Sequence, residues 1–95
     1  MKYSESMELK YKGSFKRDFE TNNRLIVEAV HKAVMNIKNA SSITQIQNLK
    51  KMRKYTTHYR IRVADDYRIG IIIRGNTVWF TRFGHRNLFY KKLFP

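Results

Sequence analysis

The alternation of apolar and polar positions starts early. Met7, Leu9 and Tyr11 are spaced by Glu8, Lys10 and Lys12, the pattern of a half-buried strand. Residues 1 to 5 before it read as a short frayed lead-in. Gly13-Ser14 breaks the alternation, and Ser14 is placed to cap a short helix running through Phe15 to Glu20. Phe15 and Phe19, four apart, give that helix one apolar stripe. Thr21-Asn22-Asn23 interrupts the pattern and can cap a second helix. From Arg24 to about Asn39 the apolar set is Ile26, Val30, Ala33, Val34 and Ile37, with Arg24, Glu28, Lys32 and Lys38 mostly outside. Two helices with a short joint suggest a helical hairpin laid over a sheet. Ala40-Ser41-Ser42 ends that unit, and Ile43, Ile46 and Leu49, recurring every three residues, predict one or two short helical turns.

The period then changes from helical to two. Strands are expected at roughly 58–64, 67–74 and 77–83, with Ala64-Asp65-Asp66 and Arg74-Gly75-Asn76 as short turns, so neighbouring strands should be antiparallel. In the first, Tyr59, Ile61 and Val63 take one face and Arg60 and Arg62 the other. In the second, Tyr67, Ile69, Ile71 and Ile73 oppose Arg68, Gly70, Ile72 and Arg74. The third is apolar on both parities at Val78, Trp79 and Phe80. It is either covered on both sides or holds a bulge near Gly84. The expectation is a single α+β domain over 1–95: an N-terminal strand, a helical hairpin and an antiparallel three-strand meander. The helices pack on one face of the sheet and the arginine face is left open.

Charge gives that open face a meaning. The chain carries 20 Lys and Arg against 7 Asp and Glu, a formal net charge of +13. Self-repulsion on that scale calls for a polyanionic partner, with nucleic acid ahead of a membrane surface. An acidic protein segment would satisfy the same face. Six arginines (Arg60, Arg62, Arg68, Arg74, Arg82 and Arg86) fall between Tyr59 and Tyr90. The basic run Lys50-Lys51-Met52-Arg53-Lys54 reads as a lead-in loop to the sheet and, with His58, Arg74 and Arg82, as a candidate RNA-backbone contact. No apolar run approaches a membrane span, and there is no cysteine, which fits a reducing cytoplasm. His31, His58 and His85 lack metal-ligand spacing. Trp79, Phe80 and Phe83 read as core, His31 as structural, and one of Phe89 and Tyr90 as core.

Four pieces of the chain resemble the RelE/ParE superfamily of toxins from type II toxin–antitoxin systems. The opening strand with Phe15-Lys16-Arg17-Asp18-Phe19-Glu20 is similar to its first strand and helix. The segment Leu49 to Arg62 resembles its loop and basic strand. Asp66-Tyr67-Arg68-Ile69 resembles its recurrent strand start, and Gly84-His85-Arg86 with Tyr90 resembles its C-terminal ending. The RNA-cleaving branch of the superfamily cuts messenger RNA in the ribosomal A site without a metal or other cofactor, whereas the ParE-like branch acts on DNA gyrase by protein binding. The resemblance implies that Arg60 and Arg62 contact the scissile phosphate, Arg68 holds it, Arg86 supports the transition state or leaving group, and Tyr90 stacks on or orients the nucleotide. It also implies a cognate antitoxin, with mRNA and ribosomal RNA as the other partners. Arginine stands at 60 and 62 where some members have lysine, and no glutamate matches the carboxylate base of others. Arginine stays protonated and is a poor base. His85 is therefore the preferred proton-transfer group, with neighbouring arginines expected to keep it neutral, and Tyr90 is second.

Overall fold

The computed structural model describes residues 7–20 and 24–95. The expected lead-in and the Thr21-Asn22-Asn23 cap lie outside the described residues. Strand β1 (Glu8–Tyr11) leads into helix α1 (Gly13–Phe19), and helix α2 (Arg24–Asn39) follows. A 3-10 turn at Ile43–Gln45 precedes β2 (Leu49–Lys51), and then come β3 (His58–Val63), β4 (Tyr67–Arg74) and β5 (Thr77–His85). The chain ends in one short helix, α3 (Arg86–Leu88), which widens into a π-helical turn at Phe89–Leu93.

The five strands form one sheet in the order β1-β5-β4-β3-β2. β1 runs parallel to β5, and the other pairs are antiparallel. The meander is present with the expected turns. Gly75 opens the β4–β5 turn at φ 58, a left-handed conformation that costs glycine little. Ala64 and Asp65 also have positive φ, at 48 and 56, so the β3–β4 turn stores some backbone strain. Lys50 and Lys51 belong to an edge strand, not to a lead-in loop. Leu49 pairs with Ile61 and puts its side chain against the core, while Lys50 faces the other way beside Arg60. Only Arg53 and Lys54 remain in the exposed connection to β3.

The core lies between the helices and one face of the sheet. Phe15, Val30 and Ile37 come down from α1 and α2 onto Ile61, Ile69, Ile71, Val78, Phe80 and Phe83. Phe15 anchors α1, tilted on Phe80 at 5.4 Å and stacked with Phe19 at 5.9 Å. Ser14 does not cap α1. The helix starts two residues earlier, with Lys12 at the N-cap, and the Ser14 hydroxyl donates to the Thr81 carbonyl at 2.6 Å.

That contact marks the irregularity that shapes β5. Gly70 pairs with Arg82, but Ile71 pairs with Phe80, which leaves Thr81 as an extra residue on β5. Its hydroxyl donates to the Gly70 carbonyl at 2.8 Å, so the buried bulge is satisfied from both sides. The bulge lies three residues before the expected position near Gly84. It explains the double parity: Val78 and Phe80 face the core before it, and Phe83 faces the core after it.

The opposite sheet face is not fully open. The C-terminal segment lies across it, with Phe89 and Phe94 buried. A Cβ on Gly70 would meet the Phe94 ring at 2.5 Å, and one on Gly84 would meet Leu93 at 2.7 Å. Two glycines thus form the seat for the tail. The third strand is both bulged and covered on two sides.

Candidate nucleic-acid interface

Three strands bring the expected cations together. Lys50 on β2 lies directly opposite Arg60 on β3, and Arg62 on β3 lies directly opposite Arg68 on β4. Alternation within β3 puts both pairs on the face away from the helices. With Asn48 and Leu49 these four side chains line a cleft of about 310 Å³, and none of its six lining residues is acidic. Like charges directly opposite on a sheet repel. Two such pairs side by side are a standing cost to the fold, and a bound anion would remove it.

The four cations differ in freedom. Lys50 and Arg62 are exposed and Arg60 is half-buried. Arg68 is 9% exposed and is held from behind. Its Nη1 donates to the carbonyls of Asp65 and Tyr67 at 2.7 and 2.9 Å, and its Nε donates to the Tyr90 hydroxyl at 3.2 Å. A guanidinium fixed in this way is preorganised: it presents charge to the cleft with little rotamer freedom left to lose. The Tyr90 ring remains 48% exposed beside it, whereas its neighbour Phe89 is wholly buried.

Other expected residues fall elsewhere. Arg82 is committed to Asp18 on α1, with Nε and Nη2 at 2.6 and 3.0 Å from the two carboxylate oxygens. The same carboxylate accepts the Phe83 N–H at 3.0 Å. It caps β5 where β1, paired only as far as Phe80, no longer covers that edge. Arg82 therefore clamps a helix to the sheet, and its guanidinium is turned to Asp18 and not to the cleft. Its hydrogen bond to Asp18 raises its already high pKa. Arg74 is exposed at the far end of β4, remote from the cleft in register. Arg86 is anchored to the β3–β4 turn: its N–H donates to the Asp66 carbonyl at 2.7 Å, and its Nε lies 3.6 Å from the Asp66 carboxylate.

His85 departs furthest from expectation. It pairs with Tyr67 and meets that ring edge-on at 5.5 Å, on the core-side face and not in the cationic cleft. The Thr81 bulge is the reason, because it inverts the parity of every later residue on β5. The Nδ1 of His85 accepts the Asn87 N–H at 3.2 Å and caps α3. The one nitrogen of its neutral ring able to accept is thereby used, so His85 is poorly placed to act as a base.

His58, expected among the backbone contacts, is the histidine on the cationic face. It lies two residues before Arg60 on the same side of β3. Tyr55 and Phe94 flank its ring at 4.6 and 5.4 Å, and the Thr57 hydroxyl lies 3.1 Å from Nδ1. Burial, with a further contribution from the Arg74 charge, lowers its pKa from the ordinary 6.5. The parity of His58 with Arg60 was legible; of the two rings against it, Tyr55 is three residues away and Phe94 comes from the C-terminal tail. His31 is exposed on α2 and lines an apolar groove with Tyr11, Phe19, Val27 and Val34.

Sheet order and cleft define a small, basic α+β protein built around a cationic face. Over 85% of its length the chain superposes on 94% of a chain from the RelB-RelE antitoxin–toxin complex of Methanococcus jannaschii, with 30% sequence identity and a TM-score of 0.73. It shares the same fold with the RelBE2 toxin–antitoxin complex of Mycobacterium tuberculosis, at 21% identity, a TM-score of 0.63 and coverage of 85% and 92% of the two chains. In sequence, 53 residues are 42% identical to toxin RelE3 of Methanocaldococcus jannaschii, covering 55% of this chain and 59% of that protein. The chain thus spans somewhat over half the length of that curated relative. No protein-family model matches. The chain belongs to the RelE family of toxins from type II toxin–antitoxin systems.

Proposed function

We propose that the protein is a ribosome-dependent mRNA endonuclease, cutting in the A site through attack of a ribose 2′-hydroxyl on the adjacent phosphate. The observation that carries this reading is the pair of like-charge contacts, Lys50 with Arg60 and Arg62 with Arg68, around one acid-free cleft. The attack forms a bond from phosphorus to the 2′-oxygen and breaks the bond to the 5′-oxygen. It leaves a 2′,3′-cyclic phosphate and a free 5′-hydroxyl. Extra negative charge develops on the phosphorane, and fixed guanidinium groups stabilise it. Arg60 and Arg62 are assigned to the phosphate oxygens, and Arg68 supports them from its anchored position. Tyr90 offers an exposed ring for the nucleotide, fixed through its hydroxyl bond to Arg68. His58 replaces His85 as the proton acceptor for the 2′-hydroxyl, because its lowered pKa leaves it neutral near pH 7. Arg86 serves the leaving oxygen from the rim.

The relatives' complexes with antitoxins support a cognate antitoxin here too. An acidic stretch would cover the cleft. The exposed apolar side chains of Leu25, Val27 and Met35 on α2 suit an amphipathic one. Ribosomal RNA is the partner expected for the remaining basic surface, and the cytoplasm is where the target lies.

The test is to add purified protein to translating ribosomes and map mRNA 5′ ends by primer extension. Cuts at fixed positions within the A-site codon are expected, and they should weaken with Arg62→Ala. Absence of cuts together with blocked gyrase supercoiling would replace this reading with a gyrase-binding toxin.

A further inference from the structure

The cationic cleft does not use the whole helix-free face. At the opposite edge of the sheet, Lys10 on β1 pairs in register with Trp79 on β5. The ammonium groups of Lys10 and Lys12 lie 5.5 and 5.9 Å from the centroid of the Trp79 ring. Trp79 was expected in the core. It is instead half-buried, because it alternates with Val78 and Phe80, which face the core and are fully buried. One aromatic face and two exposed cations form this corner, with Trp79 and Lys10 on strand backbone and Lys12 at the N-cap of α1. Among the described residues Lys10 has one ion pair, with Glu8 at 3.6 Å, and both of those side chains are well exposed, so that pair contributes little.

The register joins this corner to the cleft. Lys10 pairs with Trp79, Trp79 with Ile72, and Ile72 with His58, which precedes Arg60 on β3. That row crosses three strand spacings, about 14 Å. The tail borders it: Phe94 is seated one row away over Gly70 and meets the ring of His58 at the end of the row. Arg74 follows Ile72 by two residues on the same side of β4 and adds a cation near the row.

We infer that the Lys10–Trp79–Lys12 corner is a second RNA contact, where the two ammonium groups take backbone phosphates and the indole stacks a base. The chemistry is that of single-strand binding surfaces, which combine a cationic track with an aromatic platform. Cation–π contact holds the ammonium groups over the ring in the free protein. The inference rests on RNA as the target of the cleft, but it concerns a separate patch with its own signal.

Trp79 is the sole tryptophan, so its emission reports on this corner alone. The probe is a short 2′-O-methyl oligouridylate, which lacks the nucleophile and is not cut. Titrated at low salt, it should quench Trp79 saturably. Lys10→Ala/Lys12→Ala should weaken binding about tenfold and reduce the salt slope by roughly 1.4, at about 0.7 per phosphate contact on a single strand. Arg60→Ala/Arg62→Ala should weaken binding while leaving quenching at saturation. Unchanged emission while anisotropy of a labelled strand reports full binding overturns the inference, as does no binding at all. Equal quenching by polyglutamate of matched charge overturns it in favour of an acidic protein segment. Cutting of ribosome-bound mRNA is scored separately: a protein that cuts without quenching loses only this corner, and one that quenches without cutting loses only the nuclease reading.

Discussion

Arg62 and Arg68 face each other across β3 and β4, yet they are bound into the fold in opposite ways. Arg68 makes three hydrogen bonds inward, whereas Arg62 is exposed and repelled by its partner. Arg62→Ala should therefore leave stability unchanged or raise it by up to about 0.5 kcal/mol, while lowering cleavage by about 10²-fold. Arg68→Ala should lower stability by about 1–3 kcal/mol, since it strands the carbonyls of Asp65 and Tyr67 and the Tyr90 hydroxyl. Urea unfolding beside ribosome cleavage separates the two, and a large stability loss in Arg62→Ala would contradict the repulsion argument. His58 adds a pH dependence. Its pKa is lowered in the fold, so below the ordinary 6.5 the unfolded chain binds more protons than the folded one. Its share of stability is present above 6.5 and is lost as pH falls through the lowered value. His58→Gln should flatten that part of the acid limb, as read by urea midpoints between about pH 7 and pH 5, and should slow cleavage. An acid limb of unchanged slope would remove His58 as the titrating group.

Among the elements, what could be read in advance followed from strict period. Tyr67 to Ile73 alternates cleanly, and β4 forms over the expected residues. The spacing of Ile26, Val30, Ala33, Val34 and Ile37 places α2 correctly, with Val30 and Ile37 buried. β2 was hidden because three residues, two of them lysine, carry no alternation to detect, and only the pairing with β3 makes them a strand. Misplacement of His85 comes from the Thr81 bulge, which depends on Ser14 and Gly70 from other parts of the chain, whereas Arg82 is drawn from the cleft by its pair with Asp18 on α1. The cover over the arginine face was also illegible, since a tail's docking site is a tertiary fact. Gly70 and Gly84 recorded it, but only as missing side chains. Gly70→Ala should cost about 1–3 kcal/mol by overpacking against the Phe94 ring. Gly84→Ala should cost less, because it meets the flexible end of Leu93. Hydrogen exchange of residues 89–94 in the Gly70 variant should rise first, and uniform loss of protection would mean that the tail is not a separable cover.

At the scale of the molecule, one charge imbalance acts on folding and binding with opposite signs. The net charge of +13 includes four cations around a single cleft, and their repulsion opposes the compact state until an anion arrives. Added salt screens that repulsion, so the melting temperature of the free protein should rise between low and physiological ionic strength. The same salt competes with phosphate contacts. If the four cleft cations each neutralise one phosphate of a single strand, they should contribute about −2.8 to the slope of log affinity against log salt, at about 0.7 per contact. Arg60→Ala/Arg62→Ala removes two of those contacts and about half of that contribution. It also removes one member of each repelling pair, so its melting temperature should depend less on salt than that of the parent. Differential scanning fluorimetry and anisotropy titrations at matched ionic strengths measure both effects. A variant that binds more weakly with an unchanged slope would place the phosphates away from β3. Its melting curve would then show whether the paired cations repel at all, independently of what they bind.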